Sequence, residues 1–479
     1  MALKSLRHPI VRAWRPLWRW FDDRTGVSQH LTPIVKHPVP PGATSGGAGW
    51  MYVLGFASMA AFALQGITGA ALATQYIPSP AHAYESLQAI TDGRFSGVVR
   101  GMHYYGASFM VVLVTLHLAR VFLTGSYKYP REVVWLTGVG MFVLTIALAF
   151  TGQLLRWDEN GVWSASVAAQ YFGRVPLIGE LLAEFIFAGA DIGGATLSRF
   201  FALHVFFLPG LLVLLLATHL YLILRNGISE PPKAGRPVDP KRYTAWYQRL
   251  LRRHGKPYWP FAAWREAVAV SVMIGIMLTL SLTIGPRELG APPDPTRVET
   301  NPTPDWYHLW YYALFAVYPR GWEDIVMVYA PVGVLLLMLV LPLLANKGER
   351  SPRRRPWAVG LVAMLAIVWS TLTVVGMGSP WVPEFDTRPF NAEELGGGEG
   401  PALTGAQVFH ARGCQYCHQV AGRGGSYGPD LTGAVDRLSE PVVRTRTLQG
   451  MGTDMPAYAD ILSADEVDAI IAFLKTVPP

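Results

Sequence analysis

Seven stretches of this chain, 50–73, 101–119, 133–152, 200–224, 267–285, 325–345 and 357–378, contain no Asp, Glu, Lys or Arg. Each is about 19–25 residues long, enough at about 1.5 Å per residue to cross a hydrocarbon layer about 30 Å thick. Inside lipid the backbone must satisfy its own hydrogen bonds, so each stretch is expected to be a helix. The fold class that follows is an all-α polytopic membrane protein with seven transmembrane helices. A composition of 51% hydrophobic and 15% charged residues agrees, and excludes an ordinary soluble domain.

The net charge of +7 is unevenly spread. Connections 1–49, 120–132, 225–266 and 346–356 hold 25 Lys and Arg, against 8 in 74–100, 153–199 and 286–324. By the positive-inside bias the first group faces the cytoplasm, with the N-terminus inside and the C-terminus on the outer, periplasmic face of a bacterial inner membrane. Such charge orients the chain and meets anionic lipid, and does not indicate nucleic acid. The basic, aromatic start (Arg12, Trp14, Arg15, Trp18, Arg19, Trp20) lacks the apolar core of a signal peptide. It reads as an amphipathic helix on the cytoplasmic surface. The apolar piece around Leu177–Ala195 carries Glu180, Glu184 and Asp191, so it is expected at the interface. A crossing there would invert everything after it.

A basic loop from Pro231 to Pro260 separates four spans from three, and a Gly-rich linker, Gly396–Gly400, precedes a polar tail. From residue 379 onward the chain holds 13 acidic and 7 basic residues, opposite in balance to the membrane part. The expected domains are a cytoplasmic segment 1–49, a four-helix domain 50–230, a three-helix domain 231–378, a linker 379–400 and a soluble, small α-helical domain 401–479.

Of twelve histidines, four lie within spans: His103 and His117 in the second, His204 and His219 in the fourth. Fourteen residues of helix turn through about 1400°, 40° short of four turns, and fifteen turn about 60° beyond. Each pair therefore lies on one face, about 21–22 Å apart along the axis. The second and fourth spans run in the same direction, so His103 is level with His204, and His117 with His219. An isolated membrane histidine can be satisfied by an interhelical hydrogen bond. Four of them, paired by face and by depth, point to bis-histidine ligation of two stacked, non-covalent b haems. Gly55 and Gly69 in the first span, and Gly138 and Gly152 in the third, repeat the 14-residue spacing. Glycine there permits a flat macrocycle to approach the backbone.

These features resemble cytochrome b of the bc-type quinol oxidoreductases over nearly all of residues 1–378. The 15-residue gap and the four-plus-three plan look more like the chloroplast-type cytochrome bf branch than the mitochondrial one, here with both membrane pieces in one chain. The resemblance implies a low-potential haem at His103/His204 and a high-potential one at His117/His219. It also implies propionate contacts from Arg100 and Arg120, whose other reading is snorkelling at a helix end. Pro304, Asp305, Trp306 and Tyr307 match the family's Pro-Glu-Trp-Tyr quinol-oxidation signature, with Asp for Glu. A carboxylate there accepts a proton from quinol, and Tyr307 positions the ring or a water. His308 reads chiefly as an interfacial polar residue, and Arg225 as a candidate for the inner quinone site.

Cys414 and Cys417, the only cysteines, precede His418 in a Cys-x-x-Cys-His motif that attaches a c haem by two thioethers and supplies its proximal ligand. A zinc or thioredoxin-like reading would leave His418 unexplained. Met455 is the expected sixth ligand, with Met451 the alternative, before a closing helix near 464–475. This tail resembles a class I cytochrome c. With both cysteines so used, the chain has none left for a disulfide, an iron–sulfur cluster or a third membrane haem.

The resemblance then implies a bifurcated quinol oxidation. One electron leaves through a separate Rieske iron–sulfur subunit to the c haem. The other crosses the two b haems to a quinone, and protons are moved across the membrane. Further implied partners are the membrane quinone pool, an external acceptor such as a cytochrome c or a terminal oxidase, and a second copy in a homodimer. A haem-bearing anchor for a dehydrogenase would not need the Pro-Asp-Trp-Tyr loop. A haem–copper oxidase would need an adjacent His-His pair, which the sequence lacks.

Overall fold

The computed structural model describes residues 9–189, 192–293, 303–318, 322, 324–378, 388–397, 400–425, 428–451 and 455–477. The chain forms two compact units, Met1–Pro293 with Pro302–Met377, and Asp294–Asn301 with Gly378–Pro479.

Among the described residues the first unit contains seven helices long and apolar enough to span a membrane: Gly49–Ala73, Arg94–Leu123, Glu132–Leu154, Gly194–Asn226, Ala263–Thr283, Ile325–Leu344 and Pro356–Met377. Most run past the charge-free windows, because a helix continues until its terminal carbonyls find other partners. The second begins at Arg94 and carries Arg100 and Arg120 within it. Small residues set the helix spacing. A side chain at Gly101 would place its Cβ 2.9 Å from that of Ser281, so the second and fifth spans touch through backbone.

The fourth span is not a regular helix. Residues Leu203–Phe207 form a π-helical turn that includes His204. Such a turn winds in about one extra residue. It takes up the surplus in the 15-residue interval, so both histidines keep one face.

Between the third and fourth spans the chain folds into helices Glu159–Gly173 and Gly179–Phe187, neither long enough to cross. The Asp158 carboxylate caps the first of them, accepting from the Gly161 amide at 2.8 Å. Phe187 and Phe200 seal the pair against the bundle. The aromatic run from Trp306 becomes a single 3₁₀ turn followed by helix Leu309–Val317, again too short to cross. It lies against the seventh span, where a Cβ at Gly376 would meet Leu309 at 2.7 Å.

At the end of the bundle that carries the basic connections, charged groups are buried together. Arg350 pairs with Glu230 and donates to Ser229. The Tyr243 hydroxyl donates to Glu230 at 2.7 Å, and Arg131 donates to Tyr243 at 2.8 Å. Glu230 follows the fourth span and Arg350 the sixth, so the cluster fastens the four-span part to the three-span part.

The second unit is a small helical body. Helices Pro401–Ala411 and Ala464–Thr476 cross where a Cβ on Gly405 would fall on the Ala469 carbonyl, so only glycine fits. Phe390, Phe409 and Phe473 fill the core beside Ile470, Ile471 and Leu474. Ser463 and Glu466 form a reciprocal capping box at the start of the closing helix.

Candidate functional site

Two helices bring the four membrane histidines together in pairs. The rings of His103 and His204 lie 6.2 Å apart between centroids, nearly perpendicular. His117 lies within electrostatic reach of His219 and Arg120. Each of the four spaced glycines faces one of these imidazoles. An added Cβ at Gly55 would lie 3.1 Å from Cε1 of His117, and at Gly69 3.1 Å from that of His103. At Gly152 it would lie 2.7 Å from Cε1 of His204, whereas at Gly138 it would lie 3.6 Å from that of His219. The first and third spans thus press the ligand rings from behind, closely at three positions and loosely at the fourth.

Hydrogen bonds fix three of the rings. His103 Nδ1 lies 2.9 Å from Thr68 Oγ1, His204 Nδ1 3.0 Å from Thr151 Oγ1, and His219 Nδ1 2.8 Å from Thr137 Oγ1. With Nδ1 so engaged, Nε2 is left to bind a metal. Among the described residues no group of three or more His, Cys, Asp or Glu could hold a metal ion.

A cavity of about 580 Å³ opens beside His103 and His204, and its wall includes Gly69, Gly152, Arg100, Arg156, Asp305 and Tyr307. Arg100 is buried, and its two terminal nitrogens are already engaged, by the Thr91 hydroxyl and the Arg287 carbonyl. Arg156 bonds Asp158, yet its Nε and Nη1 are buried with no partner among the described residues. At the other level Arg120 stacks over the Tyr52 ring at 4.0 Å, and its Nε and Nη2 are likewise buried and unpartnered among the described residues. Orphaned cationic donors are costly unless an anion meets them. A propionate would satisfy them. Arg120 was named from the sequence as a propionate contact, while Arg156, placed by its position just beyond Gly152, was not foreseen. Both Arg100 and Arg120 are buried rather than reaching to a helix-end surface.

Asp305 and Tyr307 are both buried in the same wall. Arg287 donates to Asp305 Oδ1 at 3.2 Å, the Tyr307 hydroxyl donates to Oδ2 at 3.1 Å, and the Asp305 amide donates to Gln153 Oε1 at 3.3 Å. Burial and the adjacent carboxylate hold the Tyr307 phenol well above its usual range, so it remains a donor. Trp306 donates to Ser108 at 3.0 Å, and Pro304 is half-buried on the other side of Asp305 in the chain. His308 packs edge-on to Tyr307, and burial pushes its imidazole down to about 4, so it is neutral near pH 7. Arg287 and Gln153 were not singled out from sequence. Arg225 is exposed at the end of the fourth span.

In the second unit Cys414 and Cys417 bracket one turn of helix, with both thiols free. His418 follows, its Nδ1 held by the Pro429 carbonyl at 2.9 Å, and Gly428 closes against its ring. This fixes Nε2 as the free nitrogen, the arrangement a proximal haem ligand needs. Met455 is half-buried and Met451 half-exposed; Gly452, Thr453 and Asp454 lie outside the described residues.

Comparison with known proteins follows the same division. The family model "Cytochrome b/b6/petB" matches residues 43–227, and "Cytochrome b(C-terminal)/b6/petD" matches 292–385. The model "Cytochrome C oxidase, cbb3-type, subunit III" matches 400–474. Cytochrome b6 of Synechococcus sp. (strain RCC307) is 36% identical over 217 residues, covering 45% of this chain and 97% of that protein. Cytochrome b6 of Prochlorococcus marinus (strain NATL1A) matches with the same identity and coverage. Among solved structures, a chain of a hyperthermophilic respiratory Complex III superposes with a TM-score of 0.63 at 27% identity, covering 76% of this chain and 91% of that one.

Proposed function

The chain belongs to the cytochrome b/b6 family, and on that premise we propose that it is the membrane core of a bacterial quinol-oxidising bc-type complex carrying its own cytochrome c domain. The observation that carries this reading is the shared cavity. Its lining includes His103 and His204 together with Asp305 and Tyr307. A quinol next to Asp305 and Tyr307, beside a haem held by the two histidines, would meet a proton acceptor and an electron acceptor at once.

On this reading two b haems held by His103/His204 and His117/His219, and one c haem on Cys414, Cys417 and His418 with Met455 as sixth ligand, supply one-electron transfer when bound. The residues themselves handle binding and protons. Oxidising a quinol to quinone releases two electrons and two protons. Asp305 is the acceptor for a hydroxyl proton, and Arg287 holds its carboxylate at the cavity wall. Tyr307 keeps its own proton and orients the ring or a water. Pro304 and Trp306 shape the loop that presents them. Arg156 and Arg120 anchor the acidic edges of the porphyrins, and the four glycines leave room for the ligand rings.

A Rieske subunit takes the other electron, since the two cysteines are committed to the c haem. The remaining partners are the quinone pool, a soluble or membrane-bound electron acceptor, and a second copy of the complex. We assign 1–49 as a cytoplasmic segment, 50–230 as the di-haem domain, 231–378 as the quinol-site domain, 379–400 as linker and 401–479 as the cytochrome c domain on the outer face.

The test is quinol-dependent reduction of an external cytochrome c by the purified complex. Asp305→Ala is expected to lower turnover by 10²–10⁴-fold, roughly the contribution of a positioned proton acceptor, while both b haems stay bound. Unchanged turnover would remove the quinol site from this wall.

A further inference from the structure

The residue before each ligand-facing glycine falls into a pattern: Thr68-Gly69, Thr137-Gly138 and Thr151-Gly152, but Leu54-Gly55. Each threonine hydroxyl has one hydrogen, and each sits within hydrogen-bond reach of a carbonyl of its own helix. Thr68 donates to Leu64 at 2.7 Å, Thr137 to Val134 at 2.9 Å and Thr151 to Ala147 at 2.8 Å. The oxygen can then only accept, so the facing histidine donates from Nδ1. His103, His204 and His219 therefore each have an acceptor. His117 faces Leu54-Gly55, and its Nδ1 is buried with no partner among the described residues.

We infer that these threonines, and the leucine that replaces the fourth, set the difference in reduction potential between the two membrane haem sites. An acceptor on Nδ1–H draws that proton away and makes the imidazole a more basic, stronger ligand. Stronger donation favours the oxidised, more positive iron. The His103/His204 level has two such acceptors and the His117/His219 level has one. Electrons at the level beside Asp305 thus stand higher in energy, and transfer toward His117/His219 runs downhill. Cations stand at both levels, Arg120 by His117 and Arg100 and Arg156 by the His103/His204 cavity, so they do not by themselves order the two sites. The threonine effect is separable from theirs, since a change at residue 54 leaves these arginines in place.

This inference rests on the two-haem reading above, and the experiment distinguishes their failures. Potentiometric titration of the b-haem absorption in the purified full-length complex gives two midpoints. Leu54→Thr, which supplies the missing acceptor, is expected to lower the upper midpoint; Thr68→Val, isosteric without the acceptor, is expected to raise the lower one. Each should change the reduced-to-oxidised ratio at fixed potential about tenfold, which is about 59 mV for one electron. The gap closes from both ends, an outcome that general loosening of the pocket would not produce. Should Leu54→Thr fail to assemble, Thr68→Val and Thr151→Val carry the test. Two bound b haems whose midpoints do not move in any of these variants would overturn the inference. Absence of b haem from the unmutated chain would instead overturn the reading beneath it.

Discussion

Glycine at 152 and glycine at 138 occupy equivalent places in sequence, yet the structure sets them apart. A Cβ at residue 152 would stand 2.7 Å from Cε1 and 3.2 Å from Nε2 of His204. The ring cannot swing aside freely, because Nδ1 is tied to Thr151 at 3.0 Å on the same helix. Gly152→Ala should therefore cost about 1–3 kcal/mol for overpacking. A further 0.5–1.5 kcal/mol, roughly, is lost if the hydrogen bond yields. Alanine returns about 1 kcal/mol of helix preference. The net penalty is about 0.5–3.5 kcal/mol on the ligand geometry, or roughly a 2- to 400-fold loss of haem retention. At residue 138 the nearest atom is 3.6 Å away, an ordinary contact, so Gly138→Ala should retain its haem and gain slightly in helix stability. The assay is the ratio of b to c haem in purified protein, read as pyridine haemochromes. On the proposed reading the covalent c haem counts polypeptides, so the ratio needs no separate protein standard. Loss of b haem from Gly138→Ala with full retention in Gly152→Ala would refute the argument that ring contact, rather than glycine itself, is what these positions need.

Arg287→Gln removes the ion pair to Asp305 while leaving the carboxylate in the wall. Its side chain is more than a third exposed, so fold and haem content should hold while quinol turnover falls; unchanged kcat and KM would remove Arg287 from the site. Glu230→Ala leaves Arg350 buried without its counter-charge and should destabilise the membrane unit by about 3–5 kcal/mol, with Glu230→Gln milder because it can still accept from Tyr243. Thermal denaturation in detergent reads both, and equal melting of Glu230→Ala and the unmutated protein would contradict the proposed fastening of the two span groups.

What the sequence made legible was whatever repeats along one helix. Charge-free windows located all seven spans, and the ring meeting of His103 and His204 follows from fourteen- and fifteen-residue spacing on parallel helices. Contacts between elements far apart in the chain were not legible in the same way. Arg287 reaches Asp305 across a Pro-rich loop, and Gln153 reaches it from the third span, 152 positions earlier. The surplus residue between His204 and His219 predicted an angular mismatch, and only the backbone reveals the π turn that absorbs it. The threonines lie between these cases. Each immediately precedes a glycine that was singled out, and 137 and 151 keep the 14-residue interval, so a search for polar neighbours of the glycine register would have found them.

The aspartate in the Pro-Asp-Trp-Tyr loop has a physical consequence that only its surroundings reveal. Its two carboxylate oxygens are divided between Arg287 and Tyr307, both of which reach it at about hydrogen-bond distance from the protein side of the wall. A glutamate would carry the carboxylate roughly 1.5 Å farther along one added carbon–carbon bond. A displacement of that size would shift the carboxylate against its bonds to Arg287 and Tyr307 at the cavity lining. The shorter residue therefore keeps the proton acceptor anchored to a cation at the cavity edge. On the proposed reading, proton transfer to it then requires the quinol hydroxyl, or a water between them, to approach the wall. The substrate would come to the base, whereas a longer side chain could extend to meet it.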